Sequence, residues 1–196
     1  MTMYEQVLGE HFERLHKRMQ QRYRFKEATF IGKGKMDMIE NKWWLRPFLY
    51  LATKRRLMFP EHGKNIPFEV KNTLNIEKNE VYWERKFFIG GKVRFFDANM
   101  RWNEQTREVD DFLGYPSPLY SSLCFQVQPC GGLKIVSGRQ KLLIGKHEVE
   151  IPSFFQVKAE VYEQFDEKIG RFRIKVKVMN RFLGTLFTYE GTFIDE

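Results

Sequence analysis

Arg85 has the most chemistry to explain. In Val81-Tyr82-Trp83-Glu84-Arg85-Lys86-Phe87-Phe88-Ile89, a strand's period of two puts Val81, Trp83, Arg85, Phe87 and Ile89 on one face. That face is otherwise apolar. A guanidinium on it must meet a carboxylate, carbonyls, water or an anionic ligand, because an unpaired buried charge is very costly. An internal salt bridge satisfies the requirement, as does a place at an open rim. So does a clamp that grips a carboxylate or phosphate through two hydrogen bonds. If the hairpin around Gly90-Gly91 pairs, Trp83, Phe87, Phe96, Met100 and Trp102 gather near Arg85. They then either fill a core or wall a pocket for a small ligand.

Other reactive groups lack the spacing that chemistry needs. His11 and His16 are five apart and point to different faces of a helix, and His62 and His147 fall in expected turns. No metal site is expected from them. Cys124 and Cys130 are too few and too far apart for a disulfide framework or a redox pair, and read as free thiols. No Gly-x-Ser-x-Gly elbow is present. Asp110-Asp111 could supply an acid or base, but adjacent carboxylates in a turn before Phe112 are ordinarily solvated. The sequence therefore calls for no catalytic residue and no cofactor.

Charge is unevenly spread. The 196 residues carry a net +8; residues 1–64 hold 14 Lys and Arg against 7 Asp and Glu, and the remainder hold 19 against 18. A basic segment of this kind suits an anionic partner or simply a solvated helix face. Between Lys42 and Arg56, the apolar Trp43, Trp44, Phe48, Leu49 and Leu51 are interleaved with Arg46 and followed by Lys54 and Arg55. Such a segment suits a bilayer surface or a lid on a sheet with basic ends, and the need to bury its apolar residues favours the lid. Nucleic acid is disfavoured, because no recognised binding motif accompanies the basic excess. The start, Met1 to Gln6, lacks a basic segment followed by an apolar one, so no signal peptide is expected and a cytoplasmic setting is.

The elements follow from periodicity. Thr2 and Glu5 fit a capping box, and Tyr4, Leu8, Phe12, Leu15, Met19 and Tyr23 form one stripe of a helix over about 4–24. A strand is expected over 28–39, where Gly32 and Gly34 suggest a bend or a close backbone approach. A second helix is expected over 46–58, with Pro47 at its start. Pro60, Gly63 and Pro67 then mark a loop. From Phe68 to residue 195 the period is two, clearest in Phe172, Ile174, Val176 and Val178 alternating with Arg173, Lys175 and Lys177. No long helix intervenes, which argues against a βαβ architecture.

An ordered set of local patterns carries a family resemblance. These are Phe12-Glu13-Arg14-Leu15-His16, Gly32-Lys33-Gly34-Lys35-Met36, Arg46-Pro47, Phe59-Pro60 with Pro67-Phe68, and Trp83-Glu84-Arg85-Lys86-Phe87. Then come Asp111-Phe112-Leu113-Gly114, Gly131-Gly132-Leu133, Gly145 with Ile151-Pro152, and Tyr189-Glu190-Gly191. Together they resemble a bacterial domain-of-unknown-function family, numbered 4166. Its members occur alone or behind a saccharopine-dehydrogenase-like NADP-binding domain, so the resemblance implies an oxidoreductase partner and supplies no catalytic residues. Gly32-Lys33-Gly34 lacks the third glycine of a dinucleotide fingerprint.

The expected fold is one α+β domain, mostly β. Two N-terminal helices lie against a curved antiparallel sheet or barrel of lipocalin, fatty-acid-binding or helix-grip type. The expected function is noncatalytic binding of an apolar or amphipathic small molecule. Arg85 holds its anionic end, and Trp83, Phe87, Phe96, Met100 and Trp102 line the pocket. The alternative is an accessory domain with a filled core, docking an oxidoreductase or an anionic membrane surface.

Overall fold

The computed structural model describes residues 1–25 and 28–195. Its helical elements are α1 (Met3–Leu8), α2 (Lys17–Arg24) and α3 (Arg46–Thr53), with short 3-10 turns at Gly9–Arg14 and Trp43–Leu45. Twelve strands account for most of the rest. They are β1 (Thr29–Asn41), β2 (Gly63–Asn75), β3 (Glu80–Ile89), β4 (Lys92–Phe95), β5 (Ala98–Asn103) and β6 (Glu108–Leu113). They continue with β7 (Leu119–Val127), β8 (Leu133–Ile144), β9 (His147–Glu150), β10 (Val157–Asp166), β11 (Arg171–Asn180) and β12 (Gly184–Asp195).

The sheet closes on itself. Its order runs β10-β11-β12-β1-β2-β3-β5-β6-β7-β8, and β8 pairs back onto β10, giving an antiparallel barrel; β4 and β9 extend the wall beside β3 and β8. The alternation read in the sequence decides which residues face in. Val81, Trp83, Arg85, Phe87 and Ile89 of β3 are buried, as are Phe172, Ile174, Val176 and Val178 of β11. No helix among the described residues is long and apolar enough to cross a membrane.

Glycines let two strands cross closely. A Cβ on Gly34 would lie 2.0 Å from the Thr192 carbonyl oxygen, and one on Gly191 would lie 2.2 Å from the Lys35 carbonyl oxygen. Both obstacles are backbone, so relief requires opening the β1–β12 ladder, which is already bulged between Met36 and Met38. Gly34→Ala is expected to destabilise the protein by roughly 2 kcal/mol or more. An unchanged urea midpoint would contradict that reading.

One end of the barrel is plugged by the N-terminus. The capping box forms, with Thr2 N donating to Glu5 Oε2 at 2.8 Å and Glu5 N donating to Thr2 Oγ1 at 3.3 Å. The single helix expected over 4–24 is broken in two. Gly9 takes φ +52°, which ends α1. The chain then turns extended at Leu15, and His16 caps α2, its Nδ1 accepting from Arg18 N at 3.2 Å. His16 N also donates to the Gly131 carbonyl at 2.8 Å, tying the break to the β7–β8 turn. The predicted stripe survives the break. Tyr4, Leu8, Phe12, Leu15, Met19 and Tyr23 are all buried.

Inside that end, Glu163 of β10 pairs with Arg22 of α2, with Arg22 Nε 2.8 Å from Glu163 Oε1. Tyr23 donates to the same carboxylate at 3.1 Å, and Trp83 Nε1 donates to Tyr4 Oη at 2.9 Å. The guanidinium sits among aromatic rings, 4.2 Å from the centre of Phe30 and 4.9 Å from that of Phe193.

Two other expectations are corrected. The helix placed over 46–58 ends at Thr53. From there the chain is tied to the barrel wall: Asp97 N donates to the Arg56 carbonyl at 2.9 Å and Tyr115 N to the Arg55 carbonyl at 2.7 Å. The loop expected through Pro67 is already strand β2. Pro67 sits there opposite Lys35 of β1, one residue before the pairing of β2 with β3 begins at Phe68↔Phe87.

Candidate functional site

Above the plug lies a cavity of about 80 Å³. Trp83 and Met100 line it along with Arg85, Phe96 and Asp111, and the wall is otherwise almost wholly aliphatic. Leu57 and Met58, from the segment after α3, border it at the opposite end from the plug. That segment is clamped in place. Arg56 Nε lies 2.8 Å from Asp97 Oδ2, Arg56 Nη2 donates to Glu84 Oε2 at 2.7 Å, and Tyr82 Oη donates to Asp97 Oδ2 at 2.7 Å.

The wall is loosest between β8 and β10. Their ladder runs only from Leu133↔Glu163 to Val136↔Glu160. Towards the end away from the plug, which is the barrel's mouth, side chains replace it: Ser137 Oγ accepts from Ala159 N at 2.8 Å and Gln140 Oε1 accepts from Val157 N at 3.0 Å. Val157, Ala159 and Val161 face inward yet stay only half-buried, so water-sized space reaches them.

Besides Ser137 and Gln140, two ionisable side chains line this space and define its chemistry. Arg85 is buried, and its Nε donates to the Phe96 carbonyl at 2.7 Å and its Nη1 to Tyr189 Oη at 3.2 Å. Its guanidinium lies 4.2 Å from the centre of the Phe96 ring. Among the described residues no carboxylate lies within ion-pair distance of it. A guanidinium has five N–H donors, so hydrogen-bonding capacity remains. Asp111, on β6 opposite Met100 of β5, is also buried, and its Oδ1 has no hydrogen-bond partner. Burial pushes the Asp111 carboxyl up to about 7, against the opposing pull of the Arg85 charge. Near neutral pH the cavity therefore holds a fixed cation beside a carboxyl group that can be a neutral donor.

The structure brings Trp83, Arg85, Phe96 and Met100 together around the cavity. Phe87 and Trp102 are placed elsewhere. Phe87 is fully buried against Phe59, Phe68 and Tyr189, with ring centres 4.9, 5.1 and 5.1 Å away. Trp102 is half-buried near the plugged end of the barrel.

The sequence offers Asp111 as an acid in a solvated turn, and the structure corrects its place. The turn is in fact at 104–107, and Asp110-Asp111 lies in a strand. Asp110 is satisfied by Tyr120 Oη at 2.8 Å and Asn103 Nδ2 at 3.0 Å, which leaves Asp111 on the inner face. The alternation Val109, Asp111, Leu113 was the available signal. Ser137 and Gln140 were obscured by a break in phase at Gly138-Arg139, where β8 shifts register against β7.

A closed antiparallel barrel, plugged at one end and holding a buried cation in an apolar cavity, defines a single-mouthed β-barrel protein. The chain belongs to the family described as Domain of unknown function (DUF4166), which matches residues 15–193. It is 41% identical over 201 residues to "Uncharacterized protein YndH" of Bacillus subtilis (strain 168), an alignment covering 100% of this chain and 97% of that protein. No solved structure matches the chain.

Proposed function

We propose that the barrel binds a small amphipathic anion without transforming it. A carboxylate head sits on Arg85 beside Asp111, and a short apolar chain runs towards Leu57 and Met58. The observation that carries this reading is Arg85 itself: a buried guanidinium without a carboxylate partner among the described residues, opening on apolar walls. A ligand carboxylate supplies the missing counter-charge through paired hydrogen bonds. The space of about 80 Å³ is well below the roughly 300–1,000 Å³ of drug-sized pockets. It takes a head group and the first few carbons, and a longer chain fits once Met58 and Met100, the side chains most able to rearrange, move aside towards the mouth.

The test is calorimetric titration with octanoate, octanol and octylamine. Octanoate is expected to bind with one-to-one stoichiometry and the other two at least about tenfold more weakly, since a hydrogen bond to a charged group contributes about 1.5–3 kcal/mol. Arg85→Met, which keeps the apolar stem, is expected to abolish that preference. Equal affinity for the three compounds, or octanoate binding indifferent to Arg85→Met, would overturn the proposal.

A further inference from the structure

The end of the barrel that bears the mouth is also where the molecule leaves its apolar side chains uncovered. Of the large apolar side chains exposed among the described residues, all but Met1, Ile76, Ile169 and Ile194 lie at that end. They come from separate stretches of chain. Trp43 and Phe48 belong to the β1–β2 connection, Ile144 to the β8–β9 hairpin, Phe155 to the loop before β10, and Phe182 to the β11–β12 turn. Phe154 stacks on Phe182 with ring centres 5.1 Å apart, which joins two of these stretches. Scattered exposed apolar residues are ordinary, whereas a crown of them at one end marks a surface that meets something apolar. The lid reading of α3 holds only in part. Leu49 and Ala52 are buried, while Trp43, Phe48 and Leu51 remain more than half exposed.

Charge identifies what the crown meets. From Lys42 to Met58 the chain carries five Lys and Arg and no Asp or Glu. Arg56 is engaged with Glu84 and Asp97, but Lys42, Arg46, Lys54 and Arg55 are exposed and make no ion pair with any described carboxylate. Lys146 and Arg181, likewise exposed, add cations beside Ile144 and Phe182. A second copy of this surface would bring like charges together, and protein interfaces deplete lysine from their cores. A bilayer accepts both features, because aromatic rings settle at the head-group level while Lys and Arg reach the anionic phosphates.

We infer that the crown docks on an anionic phospholipid surface, with the cavity mouth turned towards the lipid. Docking does not depend on the cavity being occupied. The test is co-sedimentation of the whole protein with phosphatidylcholine vesicles, with and without phosphatidylglycerol, at low and high salt. Binding is expected only with the anionic lipid and is expected to weaken with salt. The double change Lys54→Glu and Arg55→Glu is expected to lower partitioning by about tenfold or more, as is Trp43→Ser with Phe48→Ser. These side chains are exposed, so the fold is retained. Arg85→Met and Ile76→Ser are expected to leave partitioning unchanged, which separates docking from ligand capture. Lipids brominated near the head group are expected to quench tryptophan fluorescence, and to do so less in Trp43→Phe. Binding indifferent to anionic lipid, or unaltered by both crown variants, would overturn the inference. So would self-association that those variants abolish while vesicles bind nothing.

Discussion

Replacing Glu163 with alanine is expected to cost about 3–5 kcal/mol of stability, the penalty for stranding one partner of a buried ion pair. The side chains of Arg22 and Glu163 are each 1% exposed, so water cannot take over the lost contact. What remains around the guanidinium is aromatic: Phe30, Phe193, Trp83 and Phe172 face it, and ring faces offset only part of the charge. For a chain of this size the melting temperature is expected to fall by roughly 6–20 °C. The loss is expected to begin at the plugged end, because Arg22 and Tyr23 are the α2 side chains that hydrogen-bond to Glu163. Hydrogen exchange in α1 and α2 should therefore accelerate more than in β1 or β12. The double change Arg22→Met with Glu163→Leu removes both charges and is expected to recover most of the stability. If Glu163→Ala alone melts within a degree or two of the unmodified protein, the plug is not anchored by this pair.

Asp111→Asn is expected to act in the opposite direction, and only above mildly acid pH. Burial raises the folded-state carboxyl from the ordinary 3.8 to about 7. Between those values the folded protein holds a proton that the unfolded chain has released, so stability falls as pH rises. Below about pH 4 both states are protonated and Asp111 contributes no penalty. Above about pH 7 the penalty is complete, on the order of 4 kcal/mol from a shift of that size. Asparagine has nothing to ionise. The variant is therefore expected to melt above the unmodified protein at pH 8, with the gap closing as pH falls towards 4. The same proton governs the cavity, since an ionised Asp111 partly neutralises Arg85 and repels a carboxylate. Octanoate is accordingly expected to bind more tightly at pH 6 than at pH 8, and Asp111→Asn to flatten that dependence. A melting gap constant across pH would show that Asp111 does not titrate in this range.

Much of the barrel was legible because its strands obey a period of two over long runs. Val81 to Ile89 and Phe172 to Val178 declare their inner faces without ambiguity, and Arg85 stands out only because that pattern is so regular. Closure was less visible. It depends on β8 meeting β10 across the long connection through β9, and on glycines at 34 and 191 whose close approach involves partners far apart in sequence. Reading the N-terminus as one helix failed for a local reason, since the stripe is continuous in spacing while Gly9 and Leu15 redirect the backbone. In the site, Trp83, Arg85, Phe96 and Met100 converge as the alternation implied. Phe87 and Trp102 share its phase but lie too far along their strands to reach the cavity. Asp111 was hidden by its neighbour, because an Asp-Asp pair resembles a turn until Tyr120 and Asn103 are seen to hold Asp110 outside.

The guanidinium grip on a carboxylate can be observed through the ligand itself. Octanoate carrying carbon-13 at its carboxyl is expected to show, at one equivalent, a distinct bound resonance that Arg85→Met removes while the variant stays folded. A titration showing only the free resonance, or a bound resonance of equal intensity in Arg85→Met, would contradict a cavity built around that cation.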